Sequence, residues 1–141
     1  MQLFSHDDKA SALGRTPLFR NLTRAELVEL AKVTEDMEVE EGRVLAREGD
    51  IGQEFFVIVE GEVSVTKDGV EIRRLVPGDF FGEIALIWDS PRRTATVTAA
   101  TPVRFFVLTR QSFRSLIVHH PDIEAKVLEA VEERVRTTET A

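Results

Sequence analysis

The densest chemistry in the sequence lies in one stretch, FFGEIALIWDSPRRTATV, residues 80–97. Gly82 and Glu83 open a short helix-capable run, and Arg92 and Arg93 return from a loop twelve positions downstream of the phenylalanine pair. A glycine at the start of a helical turn lets main-chain N–H groups, which have no partner in the first turn, point at an anion. An arginine returning to the same place adds a full countercharge and a planar donor fork suited to phosphate. One such charge pair at 4 Å and an effective dielectric near 20 is worth about 4 kcal/mol before desolvation. Glu83 in the same turn would repel a phosphate aimed at it, so its useful partner is a neutral hydroxyl such as that of a ribose. Anion donors beside a hydroxyl acceptor describe a sugar phosphate.

Composition sharpens that requirement. The chain has 141 residues, a net charge of −7 and no cysteine. Binders of nucleic acid present a basic face that neutralises phosphates, and Lys and Arg are scattered here, so no nucleic-acid partner is expected. An anionic ligand must be held by a local device against an unfavourable overall field. The absence of cysteine excludes a disulfide scaffold and a thiolate metal site. No apolar run approaches the roughly 18 residues of a membrane helix, and the N-terminus lacks the apolar core of a signal peptide; a cytoplasmic protein without membrane insertion is expected.

Catalysis finds no support in the spacing. There is no Ser/His/Asp set, nucleophile elbow or P-loop. His6 is isolated, and His119 and His120 are adjacent, which on a helix end does not converge them on a metal. Neither an enzyme nor a metal or cofactor site is expected. Trp88 reads as a loop or core aromatic.

The elements that must position the stretch fall into three zones. Residues 1–15 read as a polar arm or a docking helix. Residues 16–33 read as helical from Pro17, with Leu22, Leu27, Leu30, Ala31 and Val33 near a 3.6 period and Thr23 with Glu26 forming a capping box. Over 36–109 the grammar is β: Met37–Val39, Val44–Arg47, Phe55–Glu60, Glu62–Thr66, Val70–Leu75, Ala95–Ala99 and Val103–Leu108 each read as a strand, with a hairpin at Asp68-Gly69. Evenly spaced short strands imply an antiparallel barrel, roll or sandwich. Over 112–137, Ser112–Val118 reads as one helix. Pro121 opens a second whose apolar stripe is Ile123, Val127, Leu128, Val131 and Val135. Residues 138–141 are a tail. The fold class is mainly β with flanking helices.

Phe81-Gly82-Glu83-Ile84-Ala85-Leu86 followed by Arg93-Thr94-Ala95-Thr96-Val97 resembles the phosphate-binding cassette of the cyclic-nucleotide-binding domain family, which includes kinase regulatory subunits, the bacterial catabolite activator and cyclic-nucleotide-regulated channels. Pro17-Leu18-Phe19, the Glu60-Gly61 turn, Pro77-Gly78 and the two closing helices also match, so the resemblance covers residues 16–137. It looks most like the domain of bacterial cyclic-nucleotide-regulated potassium channels. The resemblance implies a jelly-roll-like antiparallel β-roll (a double-stranded β-helix) with the cassette at 80–97, one helix before it and two after.

By the same resemblance, main-chain N–H groups around Gly82, Ile84 and Ala85 meet a cyclic phosphate, Glu83 accepts from the ribose 2′-hydroxyl, and Arg93 pairs with the phosphate oxygens. Thr94 donates its N–H and hydroxyl, Val65 forms an apolar wall, and Arg134 caps the purine. Family spacing admits either Arg92 or Arg93, and the Thr-Ala-Thr-Val that follows favours Arg93. Arg134 also reads as an ordinary solvated helix residue, and Glu83 with Arg93 as an internal salt bridge. The implied function is a cAMP sensor, with cGMP as the alternative ligand, that moves its C-terminal helices. Its output is expected to pass to an effector protein or domain in trans, and a homodimer is one form to expect. The rival is a degenerate β-roll interaction module that binds no nucleotide.

Overall fold

The structure, a computed structural model, describes residues 6–88 and 91–137, with side chains at 8–88 and 91–133. In chain order the elements are α1 (His6–Gly14), α2 (Arg24–Lys32), β1 (Glu35–Val39), β2 (Val44–Ala46), β3 (Glu54–Glu60), β4 (Val63–Lys67), β5 (Val70–Leu75), β6 (Phe80–Phe81), a 3-10 turn (Glu83–Leu86), β7 (Thr96–Ala99), β8 (Val103–Thr109), α3 (Arg110–His119) and α4 (Pro121–Thr137). All strand pairings are antiparallel, in two four-stranded sheets ordered β1-β8-β3-β6 and β2-β7-β4-β5. This is the expected roll with flanking helices. Among the described residues no helix is long and apolar enough to cross a membrane.

Two apolar clusters explain why β3 and β8 are nearly continuous apolar runs, EFFVIVE and VRFFVLT, rather than alternating ones. Successive strand side chains point to opposite faces. Phe56, Ile58, Phe105 and Val107 therefore fill the inside of the roll, while Phe55, Val57, Phe106 and Leu108 meet the helices. Phe55 lies edge-on to Phe19, their ring centroids 5.5 Å apart.

The helical ends depart from expectation in three places. Helix α2 begins at Arg24, not Pro17, because the Thr23–Glu26 capping box fixes its start: the Glu26 N–H donates to Thr23 Oγ1 at 3.1 Å and the Thr23 N–H to Glu26 Oε1 at 2.8 Å. Residues 17–22 form turns that bury Leu18, Phe19 and Leu22. The stretch left open between arm and docking helix is, from His6, a docked helix; Ala10 and Leu13 enter the same core as α2. Helix α3 begins at Arg110, two residues before the expected start, since Thr109 Oγ1 accepts the Ser112 N–H at 3.0 Å and so acts as its N-cap.

Other readings match the structure closely. Pro121 opens α4. Asp68 and Gly69 both take positive φ, 53° and 80°, as a tight two-residue hairpin requires. Ile123, Val127 and Val131 are fully buried, but Leu128 is 37% exposed and lies at the edge of the stripe rather than in it. Val135 carries a side chain outside the described residues.

Candidate functional site

Phe80 and Phe81 pair with Val57 and Phe56 of β3, and this short β6, which the sequence reading did not resolve as a strand, anchors the start of the cassette. The phenyl rings of Phe56 and Phe81 stack with centroids 4.4 Å apart. Gly82 then takes φ +86°, a left-handed conformation that glycine adopts without a steric cost. A Cβ there would also lie 2.4 Å from the Glu54 carbonyl oxygen and 2.6 Å from Arg93 Nη1. The Ala85 N–H closes the 3-10 turn onto Gly82 O at 3.0 Å. As it stands that N–H serves the turn, in contrast to the ligand-facing role the resemblance gave it.

Arg93 is held by a segment far away in sequence. Its N–H donates to Asp50 O at 2.7 Å, its carbonyl accepts from the Gly49 N–H at 2.8 Å, and the Gly52 N–H reaches Pro91 O at 2.9 Å. This pairing turns Arg93 inward, 9% exposed, and leaves Arg92 exposed with its Nη1 on Gly49 O at 2.8 Å. The guanidinium of Arg93 passes between two glycines, and a Cβ on Gly52 would come within 1.9 Å of its Nε. Nη2 donates to Glu54 O at 2.7 Å, and Cζ sits 5.9 Å from the Phe56 ring centroid. Burial pushes the Arg93 pKa down, while the nearby Glu54 and Glu83 carboxylates push it up.

Glu83 is 1% exposed, and its Oε1 is buried with no hydrogen bond to that atom among the described residues. Ile84 is half-buried against the helical cluster and Ala85 is buried. Thr94 is exposed. A cavity of about 230 Å³ opens beside Arg93, walled by Val44, Ala46, Asp50, Gly52 and Glu54. Larger clefts lie elsewhere, one of about 430 Å³ at Glu38, Glu60 and Arg104. There the Arg104 guanidinium is already held by both Asp36 oxygens, at 2.7 and 3.0 Å, and serves the sheet.

Val65 is fully buried in a row that crosses the inner face of the second sheet. Val65 pairs with Val97 of β7, Val97 with Ala46 of β2, and on the other side Val65 pairs with Arg73 of β5. Directly opposed residues share a face, so three small apolar side chains run from the cavity to an exposed arginine. The structure thus brings Gly82 and Glu83 beside Arg93, while Ile84 turns toward the helical cluster and Val65 lies in the inner one. The backbone of Arg134 lies on α4, and its side chain is outside the described residues. Sequence reading missed Gly52, the Glu54 carbonyl and Arg73. None carries a local signal, since each acquires its place only through strand pairing.

With this geometry in view, the cyclic nucleotide-binding domain matches residues 36–120, more than half of the chain. The chain belongs to that family. The family is a regulatory one rather than a catalytic one. The domain is 38% identical over 112 residues to a cAMP-dependent protein kinase regulatory subunit of Dictyostelium discoideum, covering 74% of this chain and 34% of that one. It is 44% identical over 108 residues to a cyclic nucleotide-gated potassium channel of Mesorhizobium japonicum, covering 76% of this chain and 29% of the channel. The chain therefore spans about a third of the length of these relatives. Among solved structures, the N-terminal domain of a transcriptional regulator from Streptomyces coelicolor is similar with a TM-score of 0.78 and 32% identity, over 89% of this chain and 90% of that one.

Proposed function

We propose that this cyclic nucleotide-binding domain binds cAMP in the roll and signals by repositioning α3 and α4. The observation that carries this reading is the buried Arg93 guanidinium, threaded between Gly52 and Gly82, lining a cavity and bonded to the neutral main-chain carbonyl of Glu54. In this reading Arg93 takes the phosphate oxygens in place of the Glu54 carbonyl. Main-chain groups at Gly82, Ile84 and Ala85, with Thr94, complete the phosphate cradle, the Ala85 N–H turning from Gly82 O to the ligand. Glu83 accepts from the ribose hydroxyl, Val65 walls the sugar and base, and Arg134 covers the purine as α4 closes. A buried guanidinium is desolvated already, so a phosphate that replaces a neutral carbonyl gains a charge-assisted bond in a region of low dielectric. The relatedness to a cAMP-dependent kinase subunit supports cAMP as the ligand.

A second reading, cGMP, is favoured by Arg73. It stands at the open end of the Val65 row, and guanine offers two adjacent acceptors, O6 and N7, to an arginine fork where adenine offers one acceptor and one donor. The effector in this reading is a protein or domain in trans in the cytoplasm, and no nucleic acid or metal takes part. Titration calorimetry with cAMP and cGMP in parallel tests both. Saturable binding of cAMP in preference to cGMP supports the first reading, and the reverse order supports the second. Absence of heat with either at millimolar ligand leaves the interaction-module alternative.

A further inference from the structure

Two arginines flank the cassette turn: Arg93 lies against Gly82 at its start, and Arg110 holds its end. At its C-terminal end the Arg110 Nη1 donates to Ala85 O at 3.3 Å and also to Trp88 O. Last-turn carbonyls have no partner within a helical turn, so these acceptors are open to an outside donor. Arg110 is also the first residue of α3, and its main-chain N–H donates to Gln53 O at 2.8 Å. The next carbonyl along, Glu54 O, is the one that receives Arg93. Two arginines thus meet through consecutive carbonyls at the start of β3, and a closed circuit of bonds runs from Arg93 through residues 53–54 to Arg110 and back into the cassette. Gly82 completes it, since only a hydrogen fits against Glu54 O.

We propose that Arg110 is the positioning residue that transmits nucleotide occupancy to α3 and α4. The inference rests on the nucleotide reading of the same site. When Arg93 leaves Glu54 O for a phosphate, the carbonyl pair and the cassette turn both shift, and Arg110 is bonded to each. Because Arg110 starts α3, any movement it follows is carried into the helix axis rather than into a side chain alone. A cleft of about 400 Å³ between Leu86 and Ile87 of the cassette and the two closing helices leaves room for that movement. Coupling of this kind requires a bonded element that both sites bias, and Arg110 supplies one.

The chain has no cysteine, so spin labels placed by Glu41→Cys in the β1–β2 turn and Glu129→Cys on α4 report the roll-to-helix distance alone. With the wild-type sequence otherwise intact, saturating cAMP or cGMP should shift the distance distribution. Arg110→Gln should keep the nucleotide Kd within about tenfold while losing the shift. Arg110→Lys, which retains one charged donor, should recover part of it and guards against an Arg110→Gln protein that does not fold. A full wild-type shift in both variants overturns the role of Arg110 while leaving the nucleotide reading intact. Failure of the labelled parent to bind either nucleotide by calorimetry overturns both.

Discussion

Buried arginine donors need partners, and the partner of Arg93 Nη2 is a neutral one, the main-chain carbonyl of Glu54 at 2.7 Å. That leaves its charge available to an anion. Arg93→Ala should therefore weaken cyclic-nucleotide binding by at least about a hundredfold in calorimetry, given about 4 kcal/mol for one such pairing. Arg92→Ala, on an outward side chain, should stay within about threefold; the opposite ranking would overturn the inward register. Gly52 permits a separate test of guanidinium placement. Its backbone is not in the left-handed region, yet a Cβ would collide with Arg93 Nε and Cζ. Gly52→Ala should accordingly impair binding with little backbone strain. Gly82→Ala meets a positive φ and the rigid Glu54 carbonyl together, and should cost more than about 1 kcal/mol of stability in denaturant unfolding. Equal stability of the two variants would contradict this account.

Among the elements, α2 and α4 share one carboxylate. Glu26 Oε1 closes the capping box of α2 and also accepts from Lys126 Nζ of α4 at 2.8 Å. The Lys126 hydrogen bond, followed by the one from the Thr23 main chain, holds the Glu26 carboxyl below its usual range. A pKa that is lower in the folded state contributes stability above the unfolded value, near 4.3, and loses it as pH falls through the folded one. Glu26→Gln should lower the unfolding midpoint at pH 7, and its gap from the parent should close as pH falls through the lowered range of the folded carboxyl. A gap independent of pH would show that the charge has no part in joining the helices. Thr23→Ala removes the side-chain half of the capping box and should cost about 1 kcal/mol at pH 7.

At the scale of the molecule, the proposed function asks a −7 body to accept an anion, with the Arg93 guanidinium as its countercharge beside an inner cluster of apolar side chains. A ligand that binds only the folded state stabilises it by about 2.7 kcal/mol at a hundred times Kd. For a domain of this size that corresponds to a rise in Tm of roughly 5–10 °C. Thermal unfolding with and without cAMP or cGMP should show this rise in the parent protein and lose it in Arg93→Ala. A rise that persists in the variant would place the nucleotide elsewhere. Docking of α1 onto α2 and the Lys126–Glu26 bond join both helical ends on one side of the first sheet, so a shift of α4 is resisted by α2 as well as by the cassette.

Properties that repeat over a few residues were legible in the amino-acid order. The Asp68-Gly69 turn, the Thr23 capping box, Pro121 at the head of α4 and the alternation of the second sheet all follow from local backbone sterics and from periods of 2 and 3.6. The cassette from Phe81 to Val97 is also contiguous, and its glycine, glutamate and arginine could be read together. Strand register is a different quantity, because it depends on which residues meet across the sheet rather than on their own order. Pairing of 91–93 with 49–52 turned Arg93 inward and Arg92 outward, pressed Gly52 against Arg93, and the pairing of β4 with β5 aligned Arg73 with Val65. The same long-range packing brought Arg110 to the cassette and α1 onto the core. Those contacts exist only once the chain has closed on itself, and tertiary structure alone decided them.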